Sequence, residues 1–286
     1  MTSVATTSLG KRQVAYGLDN GQALVVQPEF ATSYPQGKRV TTPVVKFPQG
    51  ETPLVLDEQG QAIRQLAYEV TDGKVSLAYT TADGHTALMV REGAEDFLSG
   101  EATWESHRYP IPSLQGPIDQ LLLTPDLRYL LARAGNLLSI YDVRNPENIQ
   151  LRSALQINAR DANVTTVALL SGASSVLVGN DNGVISQWFE VLKDHQRQFT
   201  HIRDFQASGA VRQLAVEHSR KGFAALSGDN QVELFHTTGE RRLLSQALGQ
   251  GKLDGLVLSP RNTALLVEQG QGFSFFNVKN AHAEVT

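Results

Sequence analysis

Short apolar runs separated by polar turns cover most of the chain, and one arrangement recurs. Five segments open on an apolar residue followed three positions later by another: "AIRQLAYEV" from Ala62, "PIDQLLLTP" from Pro117, "NVTTVALLS" from Asn163, "AVRQLAVEH" from Ala210 and "KLDGLVLSP" from Lys252. The openings Ile63, Ile118, Val164, Val211 and Leu253 stand 42 to 55 residues apart. That period is close to one propeller blade per repeat.

Each opening is followed by a second apolar run, such as "KVSLAYTT", "SVLVGN" and "GFAALSG". A third comes next, such as "TALMVRE", "LLSIYDV" and "VELFHTT". Between second and third runs stand tight-turn signals, among them Ala82-Asp83-Gly84, Asp181-Asn182-Gly183 and Asp229-Asn230. Asp/Asn-Gly pairs supply the positive φ that two-residue hairpins need. A more polar fourth run follows, as in "IQLRSAL", "FTHIRDF" and "RRLLSQA". Four antiparallel strands, most apolar inside and most polar outside, make a blade.

The pattern predicts an all-β single domain over residues 1–286, a β-propeller of about six four-stranded blades. The expected blades span about 10–48, 61–115, 116–158, 162–207, 209–248 and 252–286, with residues 1–9 a flexible leader. The first unit, "RQVAYGL" to "RVTTPVVKF", lacks a clear first strand, and the last lacks a clear fourth after "FSFFNV". Either terminus is therefore a candidate to complete the other's sheet. Seven blades is the alternative count if residues 48–62 hold degenerate strands. Helices fare badly: Gly100 interrupts "AEDFLSGEATWESH", and "VLKDHQRQF" fits a hairpin extension as well as a helical turn.

Composition narrows the function classes. With 41% hydrophobic and 19% charged residues the chain is ordinary globular material, and 286 residues are ample for a core. A formal charge of −4 with scattered cations, Arg241-Arg242 being the densest cluster, argues against a nucleic-acid partner. No cysteine means no disulfide, thiolate metal site or cysteine nucleophile. No run approaches the roughly 18 apolar residues of a bilayer span. The opening "MTSVATTSLGKRQ" lacks the apolar stretch of a signal peptide.

Candidate chemistry is thin, and no catalytic residue, cofactor or metal site is expected. The seven histidines are His85, His107, His195, His201, His218, His236 and His282, and none forms an HxH or HExxH pair. His195 and His201, beside Asp194 and Asp204, are the one pair a hairpin would bring together, and a solvated polar loop explains them more simply. Ser227 in "ALSGD" only partly echoes a nucleophile elbow. "LGQGKLDGL" has glycines and Lys252 but no phosphate-loop spacing, and reads as a link between blades. Glu95-Asp96 and Asp57-Glu58 read as solvated turns, and Asn163-Val164-Thr165 is a bare sequon. Trp188, in "VISQWFEV", reads as packing. Trp104 sits in the polar stretch "EATWESHRYP" beside Arg108 and Tyr109, and these three are the candidate contact residues for a protein partner.

Two resemblances follow from particular segments. "GDNQVELFHTTGE" resembles the WD-repeat formula, with Phe235-His236 standing where Trp-Asp would be and Tyr141-Asp142 coming closer in the third unit. That departure leaves the buried Asp-His-Ser network of WD repeats without its usual residues. "VLKDHQRQFTHIRDFQ", "GDNQVELFHTTGERRLL", "LSPRNTALLVE" and "FNVKNAHAEVT" resemble the large soluble insertion in long-form permease subunits of proteobacterial phosphate-type ABC transporters, from about residue 10 onward. In that family the insertion lies between an amino-terminal membrane helix and the helix bundle that forms the pathway. The resemblance implies a non-catalytic accessory domain of an inner-membrane protein, with ATP hydrolysis on a separate subunit. Topology then implies the periplasmic side, with other transporter subunits or the periplasmic solute-binding protein as partners. The rival readings are a propeller enzyme of lactonase or glycosidase type and a cytoplasmic WD-repeat-like scaffold.

Overall fold

Alternating side chains make strands here, and glycines with positive φ fold them back on themselves. The structure, a computed structural model, describes all residues except 8–10, 72, 96–101, 113, 115, 158–161, 171–174, 194–195, 218–221, 249–250, 260–263, 278–283 and 286. Its described residues form strands and two single-turn 3-10 segments, with no α-helix among them.

The strands assemble in chain order into six sheets. The first holds β1 (Ser3–Thr6), β2 (Val14–Gly17), β3 (Gln22–Ser33) and β4 (Val40–Lys46), with β5 (Leu54–Val55) paired to the start of β3. The second holds β6 (Ile63–Thr71), β7 (Lys74–Thr81), β8 (Thr86–Glu95) and β9 (Ala102–Pro110). The third holds β10 (Gln120–Leu123), β11 (Tyr129–Ala134), β12 (Leu137–Asp142) and β13 (Gln150–Gln156). The fourth holds β14 (Val164–Leu170), β15 (Ser175–Asn180), β16 (Val184–Lys193) and β17 (Gln196–Gln206). The fifth holds β18 (Val211–Val216), β19 (Gly222–Ser227), β20 (Gln231–His236) and β21 (Arg241–Ala247). The sixth holds β22 (Gly255–Leu258), β23 (Ala264–Gln269), β24 (Gly272–Asn277) and β25 (Glu284–Val285). Six such antiparallel sheets in succession are the blades of a β-propeller.

Four details sharpen the sequence reading, and one of them, the expected leader, corrects it. There is no seventh blade: the stretch 48–62 contributes only β5, which joins the first sheet. Residues 3–6, expected in a leader, are the first strand of that sheet, in register from Ser3↔Gly17 to Thr6↔Val14. The free edge of β2 takes this short segment because any backbone can satisfy an open edge. Each end sheet is completed among the described residues from its own end of the chain, the first by β1 and the sixth by β25 through Phe276↔Val285. Within "AEDFLSGEATWESH", Trp104–His107 lie in strand β9, and 96–101 fall outside the described residues.

Burial follows strand position. Second strands have neighbours on both edges; β15 and β19 are buried at every position, whereas β2 and β23 alternate. Outer strands β13 and β21 are mostly exposed. The chain divides into two compact units, 1–132 with 140–151 and 133–139 with 152–286. In the first, Ile63, Leu66, Tyr68, Leu77, Tyr79 and Met89 pack with Ala15, Ala23 and Val25. Two cores lie among the described residues of the second. One centres on Phe205, Phe223 and Phe235, with Phe223 and Phe235 stacked at 5.0 Å, and the other on Leu226, Leu253, Leu256 and Phe276.

Four of the five recurring openings turn out to be joints between successive blades. The Ile63 N–H donates to Leu18 O at 2.9 Å, and its carbonyl accepts from Thr2 Oγ1 at 2.6 Å and Ser3 Oγ at 3.1 Å. In the other unit, Val164 donates to Asn136 Oδ1 at 2.7 Å and accepts from Arg133 Nη1 at 3.2 Å. The Val211 carbonyl accepts from Thr165 Oγ1, and the Leu253 carbonyl from Arg212. Two glycines allow this close approach. A Cβ at Gly179 would lie 2.6 Å from Val211 Cγ1, and one at Gly17 2.9 Å from Ile63 Cγ2. An opening residue thus fills a core position with its side chain and ties two sheets with its backbone.

Candidate functional site

Trp104, Arg108 and Tyr109 all lie on β9, the outer strand of the second sheet, opposite Gly93, Met89 and Leu88. Strand alternation puts Trp104 and Arg108 on one face and Tyr109 on the other. Trp104 is half-buried, packs against the core of its unit and lies over Gly93, where a Cβ would come within 2.8 Å of the indole. The Arg91 guanidinium sits 5.0 Å from the indole centroid and donates to Gln49 O at 2.9 Å and Gln49 Oε1 at 3.1 Å. Burial lowers the pKa of Arg91. Arg108 donates to Val55 O at 2.7 Å and pairs with Glu58 at 2.9 Å. Arg108 therefore ties β9 to β5 and to the connector at Glu58, and Trp104 reaches the connector through Arg91. Tyr109 faces away from it, with His107 at a ring distance of 6.4 Å.

The histidine cluster is only partly within view. His201 Nε2 lies 2.8 Å from Asp204 Oδ1, and its ring meets Trp188 edge-on at 5.4 Å. Asp194 and His195 lie outside the described residues, as do His218, His282 and Asp96. His85 follows a turn in which Asp83 accepts from Thr81 Oγ1 and the His85 N–H, contacts that lower the Asp83 pKa. His236 Nδ1 accepts from the Gly239 N–H at 3.0 Å, capping a turn. Among the described residues no three His, Asp or Glu side chains converge.

Ser227 belongs to a buried network that sequence reading missed. Its hydroxyl donates to Glu233 Oε2 at 2.5 Å, and both residues are fully buried. The same carboxylate accepts from the Ser208 N–H and Oγ, each at 2.9 Å, and from Arg242 Nη1 at 2.6 Å. Burial alone would raise the Glu233 pKa. The bonds from Ser227, Ser208 and Arg242 outweigh it and hold the group below its ordinary value. A serine whose hydroxyl donates to a buried carboxylate, with no imidazole bonded to it among the described residues, is held as a structural donor. The signal available was Glu233 itself, an acid inside the apolar run "QVELF". Asn163 of the sequon is engaged as well, its N–H and Nδ2 donating to the Asp181 carboxylate at 2.9 and 2.8 Å.

What these side chains leave on the outside is a set of long hairpins. The β8–β9 and β16–β17 ladders run to Glu95↔Ala102 and Lys193↔Gln196. The second of these exposes Phe189, Leu192 and Ile202. The β3–β4 hairpin is a two-stranded ribbon from Gln27↔Lys46 to Ser33↔Val40, since β2 pairs β3 only as far as Val26. Its exposed apolar residues include Phe30 (73% exposed), Tyr34 and Val45. No family model matches the chain, and no curated protein matches it. No helix among the described residues is long and apolar enough to cross a membrane.

Proposed function

We propose that the chain is a non-catalytic accessory propeller of a phosphate-type ABC transporter permease. In this reading it works by protein–protein contact on the periplasmic side of the inner membrane. Its partners are other transporter subunits or the periplasmic solute-binding protein. The observation that carries the contact role is the set of hairpins extending from the blades with exposed Phe30, Tyr34, Val45, Leu192 and Ile202. Isolated surface apolar residues are ordinary, but aromatic and aliphatic side chains gathered on projecting ribbons are a contact feature. The polar clusters support the non-catalytic part, because Ser227, Asp83, His236 and Arg108 are each engaged in holding a turn, a sheet or a connector. The transporter assignment draws on the segment resemblance, to which the six-bladed fold is compatible.

The deciding experiment is capture of the solute-binding protein and the partner subunits by this domain, alongside phosphate uptake by a transporter lacking it. Capture, together with altered uptake or assembly in the deletion, is the expected result. Normal assembly, uptake and regulation without the domain would discard the accessory role. Fusions of alkaline phosphatase and a cytoplasmic fluorophore test the membrane side, with phosphatase activity expected.

A further inference from the structure

The β3–β4 arm combines three properties found together on no other described hairpin. First, it stands alone: past Val26 the strand β3 pairs only with β4, and every residue from Ala31 to Val40 is exposed. Seven paired residues at about 3.4 Å each give an arm roughly 20 Å long. Second, its faces differ. Pairing puts Pro28, Phe30, Pro43 and Val45 on one face, all exposed, with Phe30 at 73% and Val45 at 58%. The other face is polar at its root, where Lys46 pairs with Glu29 at 2.7 Å and Gln27 bonds Glu29 and Gln13. Third, the arm is basic. Residues 27–46 contain Lys38, Arg39 and Lys46 against a single acid, Glu29, which Lys46 pairs, in a chain whose net charge is −4. Lys38 and Arg39 flank the tip, which Pro35 and Gly37 close through Lys38 N–H to Pro35 O at 3.0 Å.

We propose that this arm docks on an anionic lipid surface, its Phe30–Val45 face entering the interface and Lys38 and Arg39 meeting the headgroups. The inference rests on the membrane-associated role proposed above. Charge complementarity selects the occupant, because the arm carries two cations beside its tip and its one acid, Glu29, is neutralised by Lys46 at the root. Aromatic rings beside cations match the layered chemistry of a bilayer interface, where Tyr34 finds both apolar and polar surroundings.

Sedimentation with phosphatidylcholine vesicles, with and without phosphatidylglycerol, tests this on the whole chain. The wild type is expected to pellet with the anionic vesicles at low salt and to be released at high salt. K38Q/R39Q is expected to lower partition about fivefold for each cation removed, and F30S/V45S to lower it by about tenfold or more. Unfolding midpoints of both variants should match the wild type, since none of the four side chains is buried. A wild type that stays in the supernatant, or a K38Q/R39Q protein that pellets equally well, overturns the proposal. So does a dimer in light scattering that F30S/V45S dissolves, which would make a second copy the occupant. Failed vesicle binding with intact capture of the solute-binding protein removes this inference alone. Vesicle binding without capture removes the partner reading and leaves this one standing.

Discussion

Removing the Glu233 carboxylate should show whether a buried acid is what locks the fifth sheet. In Glu233→Ala the fully buried Ser227 hydroxyl and the Ser208 N–H lose their acceptor. A buried donor left unpaired costs about 1–3 kcal/mol. Arg242, 43% exposed, regains water and adds little. Together these give a loss of about 3 kcal/mol, or roughly 6–12 °C in melting temperature at about 2–4 °C per kcal/mol. Glu233→Gln should lose less. Its carbonyl oxygen can still accept from Ser227 and the Ser208 N–H, and only the contact to Arg242 becomes donor against donor, at about 1–2 kcal/mol. Arg242→Ala should cost least, about 1 kcal/mol or below. The expected order of destabilisation is therefore Glu233→Ala, Glu233→Gln, Arg242→Ala. The pH dependence gives a second reading. The folded pKa lies below the usual carboxylate value of about 4.3, so the stabilisation is complete above that value and is lost as pH falls through the folded one. The gap between wild type and Glu233→Gln should thus narrow on acidification. Far-UV circular dichroism during thermal or urea unfolding, at neutral pH and near pH 4 and below, measures all of this. A Glu233→Ala protein melting with the wild type, or a gap that widens in acid, would refute the reasoning.

Three further perturbations follow from the same geometry. Gly179→Val should destabilise the second unit by about 1–3 kcal/mol, because a Cβ there meets Val211 Cγ1 at 2.6 Å and Thr166 Cγ2 at 2.9 Å; unfolding midpoints check it. Gly93→Val should push Trp104 off its seat, since a Cβ comes within 2.8 Å of the ring. In a Trp188→Phe background the displaced indole should emit further to the red, and unchanged emission would place Trp104 elsewhere. Arg108→Ala should cost at most about 1 kcal/mol, because its partner Glu58 is 77% exposed, yet it should speed proteolysis near residues 54–58 by freeing Val55 O.

Much of the architecture was legible along the chain. Spacing of Ile63, Ile118, Val164, Val211 and Leu253, with Asp/Asn-Gly turns between apolar runs, was enough to expect four-stranded sheets repeated about six times. These signals are local: a two-residue turn and an alternating run carry their information within a few positions. The candidate contact residues were found as a polar insertion around Trp104, but their engagement with Arg91, Gln49, Val55 and Glu58 was out of reach, because those partners come from elsewhere in the chain.

What only the tertiary structure decided has one physical cause, that backbone and buried polar groups take whichever partner the fold brings near. β1, four residues long, is too short to carry an apolar rhythm, yet it is a strand because β2 offers an edge and Ile63 a carbonyl. The Glu233 network joins Ser208, Ser227 and Arg242 from three separate places in the chain, and the separation of the Phe30 face from the Glu29 face of the arm follows from pairing register. Sequence alone determined where most strands begin and turns fall. Contacts across sheets determined which of those residues hold the molecule together and which were left for something outside it.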